Sequence, residues 1–351
     1  MVETSSRKVS RVPVTDSYDD IYAYVCEQRW GDGLPVVPPT AERVAGMVEA
    51  SGRPASEVIA RIAPSYNEAT VEVVAVNAVM AGCLPEYMPV VVAGLQAMAE
   101  PEYNLEAIQT TTTPATPLAI INGPIRNKLK VQCQQGCLGP GWRANATIGR
   151  ALRLAVMNVG EALPAAGSRA HYGWPGKYTF CFGEDEESSA WTPLHVDRGF
   201  RKEQSTITMA AVMDIRFEIC SFDDNDPRHW MAKMAAPFRD PGTLHMLWRE
   251  GDGVVVFAPA YIKVFTREGF TKAQVRQFIY EQARLPVKAF FDLYGSEYPH
   301  HGGIKNGMLH AFKRPEDILM VIAGGPYTGM VPIMPTWHST KSVTKEIVSP
   351  S

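Results

Sequence analysis

The chain has 351 residues, 34 Lys+Arg against 37 Asp+Glu, a formal charge of −3, and 46% hydrophobic against 20% charged residues. That balance excludes a largely disordered chain, a fibrous repeat and a coiled coil, and the scattered basic residues argue against nucleic acid as the main partner. The longest nearly apolar stretch, Met88 to Ala99, falls far short of the roughly 20 residues that span a bilayer, and no apolar signal region opens the chain, so a cytoplasmic protein with no membrane segment is expected.

In chain order, residues 1–15 read as a mobile arm. A helix is predicted from Ser17 to Gln28. The Gly- and Pro-rich WGDGLPVVPPT then reads as a rigid loop, and Thr40 caps a helix over Ala41–Glu49. A short helix is expected around Ser56–Ile62, a longer one over Glu68–Ala81, and another opened by Pro89. Leu105–Thr112 and Leu118–Asn122 read as strands from their β-branched content, followed by a helix over Asn145–Val159. Tyr178–Phe182 and Thr206–Met213 read as strands flanking the acidic loop GEDEESSAWTPLHVDRGF. Helices over Pro227–Ala236, Thr243–Arg249 and Thr271–Arg284 alternate with strands over Val254–Phe257 and Asp317–Ala323. The alternation predicts an α/β (or α+β) fold with mixed sheets and helices packed on their faces. Two subdomains are expected, 16–170 and 171–351, with breaks near 165–175 or near 200 both fitting the pattern.

The strongest local signal is GCLGPGWRANATIGRALRL, Gly136 to Leu154. Gly136, Gly139 and Gly141 form a loop whose backbone can approach a ligand, and it runs into a helix whose N-terminal amides favour an anion. Trp142, Arg143, Asn145 and Thr147 flank it, with Arg143 placed to clamp a carboxylate or phosphate. No Lys-Ser/Thr follows the glycines and the spacing is GxxGxG, so neither a Walker loop nor a dinucleotide fingerprint fits, and no cofactor is named. The alternative reading is a tight turn that lets the helix pack closely on a sheet at Gly149.

The six cysteines are Cys26, Cys83, Cys133, Cys137, Cys181 and Cys220, too few for a disulfide framework. Cys137, near a helix start and an Arg, is the candidate nucleophile or redox thiol, with Cys133 as its resolving partner. A second constellation gathers Cys181, Glu184, Asp185, Glu186, Glu187, His195 and Asp197, in which His195 and Glu184 are candidates for acid–base catalysis. Asn122, at a strand end, faces the same crevice in this reading. The run Thr110–Thr113 and the glycines after His300–His301 and Ile318–Ala323 are weaker signals.

With DGLPVVPPT, NAVMAGCLPEYMPVV, INGPI, GCLGPGWRANATIGRALRL, KYTFCFGEDEESSAWTPLHVDRGF and ILMVIAGG in view, residues 17–345 resemble a bacterial family related to proteins with a (seleno)Cys-Gly-Ser-Cys motif, grouped as thiol–disulfide oxidoreductase-like. The resemblance implies a shared fold, thiol-linked chemistry and a second protein subunit, but it supplies no reaction. This chain contains no Cys-Gly-Ser-Cys, so chemistry carried by that motif belongs to a partner.

The leading expectation is an enzyme acting on a small organic anion held by Gly136, Gly139, Gly141, Trp142, Arg143, Asn145, Thr147 and Asn122. Cys137 serves as thiol, His195 and Glu184 as proton-transfer groups, and the chain forms a homo-oligomer. A metal-dependent hydrolase or lyase using His195 with Glu184 or Asp197 stands as an alternative, as does a non-catalytic subunit of a complex with a redox partner.

Overall fold

A computed structural model describes residues 9–15, 17–221, 226–248, 250–295 and 304–350, except the side chains of 244 and 245. His300 and His301, with the glycines after them, lie outside the described residues.

The helix starts follow the capping residues. Helix α1 (Tyr18–Glu27) begins at Ser17, whose hydroxyl accepts the Asp20 amide, and α2 (Ala41–Ser51) begins at Thr40 and stops at a left-handed Gly52. Residues 56–62 are not helical. They form strand β1 (Val58–Ile62), paired antiparallel with β2 (Asn67–Thr70). Val58, Ile59 and Ile62 suit a pleated surface, and the pairing delays α3 (Val71–Ala81) until after its Thr70 cap. Helix α4 (Met88–Met98) carries Pro89 in its first turn. The expected strand over Leu105–Thr112 is instead α5 (Leu105–Thr110). Leu105, Ile108 and Gln109 are buried at helical spacing, so packing overrides β propensity.

Strand β3 (Thr116–Asn122), α6 (Ile125–Lys128) and α7 (Arg143–Asn158) come next, then β4 (Cys181–Gly183), α8 (Leu194–Asp197) inside the acidic loop, β5 (Thr206–Val212) and β6 (Arg216–Ile219). The last part holds α9 (Pro227–Ala235), α10 (Leu244–Trp248), β7 (Gly253–Phe257), α11 (Pro259–Arg267), α12 (Lys272–Gln282), β8 (Arg284–Pro286) and α13 (Val287–Tyr294). It closes with β9 (Ile304–Lys305), β10 (Met308–His310), β11 (Ile318–Ile322), β12 (Met330–Pro335) and β13 (Val343–Glu346).

Two four-stranded mixed sheets organise the chain. The first runs β13-β5-β3-β4 with β3 and β4 parallel, and the second runs β11-β7-β12-β6 with β11 and β7 parallel. Alternate residues divide three cores. Ala119, Ile121, Ile207 and Met209 pack under α3, α4 and α7. Leu118, Ile120, Ala210 and Val212 instead meet Val254, Val256, Leu319, Val321 and Met334 of the other sheet. Val255, Phe257, Met320 and Ile333 pack under α9, α11 and α12. The fold is thus α/β, in four layers: helices, sheet, sheet, helices. The parallel strands β7 and β11 are covered on both faces, which is why GVVVF and ILMVI are continuous apolar runs. Each fully buried aliphatic side chain contributes roughly 1.5–3 kcal/mol. Residue 170 does not separate the sheets, because β4, β5 and β13 lie beyond it and pair in the first.

Helix α7 approaches β4 closely at Gly149. A Cβ there would sit 2.8 Å from the Phe180 amide nitrogen and press on the Thr179 hydroxyl. Those neighbours are held in place, since Thr179 Oγ1 donates to the Ala146 carbonyl at 2.8 Å. Gly149→Ala is therefore expected to lower the unfolding free energy by about 1–3 kcal/mol in urea denaturation, despite alanine's higher helix propensity.

Candidate functional site

The parallel strands β3, β4, β7 and β11 end on one side of the sandwich, and most of the sequence-predicted residues gather there. Glu184 N donates to the Ile121 carbonyl and Asp185 N to the Ile322 carbonyl, so the chain steps from one sheet to the other within two residues. The Glu184 carboxylate is wholly buried. It accepts Asn122 Nδ2 at 2.6 Å, Leu194 N at 2.7 Å and Ile322 N at 3.2 Å, joining both sheets and α8. Burial pushes its carboxyl up, while Lys272 and the three N–H donors pull the other way. These bonds make the Glu184 carboxylate a tie between the two sheets and α8.

Beside it, Glu186 Oε1 accepts Asn122 Nδ2 at 3.0 Å and Gly123 N at 2.6 Å, and lies 3.4 Å from Arg126 Nε. Arg126 also reaches Glu187 at 2.8 Å and Cys133 Sγ at 3.6 Å. Burial alone would lower the Arg126 guanidinium, but Glu187 and Glu186 outweigh it and hold it above its ordinary value. The buried His195 ring places Nε2 at 3.4 Å from the Lys202 carbonyl and Nδ1 at 3.9 Å from Glu186. Asn122 Oδ1, His195 Nδ1 and Thr206 Oγ1 have no hydrogen-bond partner among the described residues. Asn122, Glu184 and His195 therefore lie together around an end that is strongly acidic.

The Gly-rich segment does not make an anion cradle. Gly136 and Gly141 adopt positive φ and shape the turn, while Gly139 does not. Arg143 Nε and Nη2 both donate to the Gly82 carbonyl, at 3.1 and 3.0 Å, capping α3 in place of a ligand. Asn145 is buried: Oδ1 accepts Gln132 N at 2.8 Å, and Nδ2 donates to the carbonyls of Gln132 and Cys137 at 3.0 and 3.1 Å. Its hydrogen bonds hold the loop in shape. Thr147 Oγ1 donates back to the Arg143 carbonyl, and Trp142 lies exposed at the helix start.

Cys137 is sealed between the sheets with Leu118, Ile120, Phe182 and Leu194. Burial pushes its thiol up to about 12, with Cys133 and Asp185 adding to the shift. Cys133 is also raised by burial, against the pull of Arg126. The apolar shell first, and a carboxylate second, disfavour the thiolate form of Cys137. The metal reading finds no ligand set: among the described residues no three His, Cys, Asp or Glu side chains are placed to hold an ion. Asp197 is engaged by Lys272 and Arg276, each at 2.8 Å.

A different cluster lies at the far end of β3, roughly 20 Å away at about 3.3 Å per residue. Thr116 Oγ1 donates to the Gly176 carbonyl, which places the turn Pro175–Lys177 over the start of that strand. Under it, Arg153 of α7 is 4% exposed, donating from Nε to the Lys177 carbonyl at 3.0 Å and from Nη1 to Gln109 Oε1 at 3.3 Å. Lys177 Nζ, Gln109 Nε2 and Tyr103 Oη are buried around Arg153 with no hydrogen-bond partner among the described residues. Burial and the Arg153 charge pull Lys177 down to about 7; burial draws Arg153 down to about 10, still charged at neutral pH. Among the described residues no carboxylate acts on either cation. Sequence reasoning missed this site. Its one trace was an arginine inside the buried run ALRLAVM, and nothing in GWPGKYTF marked the lysine.

Comparison with protein-family profiles and with curated proteins finds no match to this chain. No helix among the described residues is long and apolar enough to cross a membrane.

Two outcomes follow. Glu184→Leu takes this acceptor from the buried Leu194 and Ile322 amides and leaves Asn122 Nδ2 with Glu186 alone, each unpaired amide costing about 1–3 kcal/mol, and should lose far more stability in urea than Glu184→Gln. Brief alkylation of the native protein at pH 7.5 should label Cys26, which is exposed, and leave Cys137 unmodified by peptide mass spectrometry.

Proposed function

We propose that the protein is an enzyme acting on a small organic anion, and that the anion binds not at the Gly-rich loop but between Arg153, Lys177, Gln109 and Tyr103. The observation that carries this reading is a pair of buried cations with no acid beside them and with donor atoms to spare. Burying like charges together is costly, and an oxyanion supplies the missing counter-charge. Arg153 offers a planar fork for a carboxylate or phosphate, and Lys177 a mobile point charge. The opposite end of the sandwich, with Glu184, Asp185, Glu186 and Glu187 against Arg126, repels such a ligand. Catalysis rather than simple binding is favoured by Lys177, a lysine near neutrality being suited to general-base or nucleophilic work.

The test is calorimetric titration with acetate and with inorganic phosphate, at constant ionic strength, in two buffers of different ionisation enthalpy. Binding should take up close to one proton at pH 8, because the anion restores the ammonium form. The sign follows from Lys177 titrating near 7: uptake vanishes well below pH 7, and affinity falls about tenfold per unit above it. Lys177→Met should abolish the proton uptake, weaken binding at least tenfold and raise the melting temperature of the free protein. Binding unchanged in Lys177→Met, or none in the wild type, overturns the assignment.

A further inference from the structure

We infer that Lys177 is a carbonyl-trapping nucleophile and that the substrate class is the 2-oxo acids, held by their carboxylate on Arg153 while the amine attacks the adjacent keto carbon. This inference rests on the anion reading above and names the chemistry of the same site.

Five features of the site support it. The Lys177 amine has no hydrogen-bond partner among the described residues, so no contact has to break before its lone pair is used. Its one charged neighbour is a cation, which disfavours the ammonium form, and burial acts in the same direction. Arg153 is fixed by the Lys177 carbonyl and Gln109 Oε1, so a carboxylate on its fork lies beside the lysine's own backbone. Tyr103 Oη, unpartnered and within the electrostatic reach of Arg153, is kept a neutral phenol by burial and can donate a hydrogen bond to the keto oxygen. Gln109 Nε2 adds a second donor for the carboxylate or the keto oxygen.

The step balances without any further reagent. A carboxylate on Arg153 favours the ammonium form, so the reacting species is the complex whose Lys177 has released its proton to solvent. That neutral amine adds to the keto carbon, one of its protons passes to the carbonyl oxygen, and the resulting carbinolamine takes one proton from solvent and loses water to give a protonated imine. The imine nitrogen then carries positive charge beside the substrate carboxylate. It draws electron density from the substrate's neighbouring carbon, so a bond there to hydrogen or to a carboxylate carbon can be broken. The acid-rich end of the sandwich takes no part.

The experiment is trapping with sodium borohydride. The full-length protein is incubated with pyruvate as probe at pH 7, reduced, and analysed by peptide mass spectrometry. The expected result is an increment of one pyruvate less one oxygen atom on Lys177, formed more than tenfold faster than on any other lysine and slowed by acetate. Lys177→Arg keeps the positive charge but cannot form the imine, so it should retain acetate binding and lose the label. If wild-type protein binds acetate with proton uptake yet gains no label at Lys177, the imine inference fails and the anion site stands. If neither label nor anion binding is found, both fail. Equal labelling of surface lysines also overturns the inference, because the site then confers no reactivity.

Discussion

One carboxylate ties the two halves of the molecule together. Glu184 accepts from a side chain of β3, from the first turn of α8 and from the last residue of β11. Without it, the inter-sheet core of Leu118, Ile120, Val254, Val256 and their neighbours would close on one side over unpaired amides. Dispersion and apolar burial bring the sheets together, but they have no direction. Three directed hydrogen bonds to a single buried group fix which residues face which, and a mispaired register would strand a charge in the interior.

Charge is sorted along the sandwich. The carboxyl ends of the parallel strands collect acids: Glu184 to Glu187 are satisfied by Asn122, Arg126 and backbone amides, Asp185 being the exception with no bonded partner among the described residues. Burial first, with Asp185 adding to it, raises the thiols of Cys133 and Cys137, while Arg126 pulls Cys133 the other way. The opposite end collects donors around Arg153. In a medium of low polarity each end strengthens its own preference, because few waters intervene to screen it.

Much of the fold could be read from the residues. Ser17, Thr40 and Thr271 cap helices as their positions indicated, and VVVF and ILMVI are strands. The failures have one cause. Val58–Ile62 and Leu105–Thr110 are short, and partners distant in sequence or on a facing layer decided their state. The site was legible only in part. Asn122, Glu184 and His195 do converge, but residue type could not tell a group that does chemistry from one that holds a seam. Arg143 illustrates the limit: its task is set by Gly82, far away in sequence, whose carbonyl was invisible as an acceptor until α3 and α7 were packed. Lys177 illustrates the converse, since its unusual state comes entirely from surroundings assembled by tertiary structure.

The placement of β13 bears on how the molecule is made. Val343–Glu346 forms an edge of the first sheet, pairing with β5 at Thr206–Met209 after the chain has completed the second sheet. During synthesis, the N-terminal helices and β3 to β5 emerge long before their last neighbour does. At about 5–20 residues per second the intervening stretch leaves an open edge for many seconds. That edge alternates the hydroxyls of Thr206 and Thr208 with Ile207 and Met209, which face the helices of the first core. A growing chain therefore waits with a border that is wettable on one face and covered by its own helices on the other.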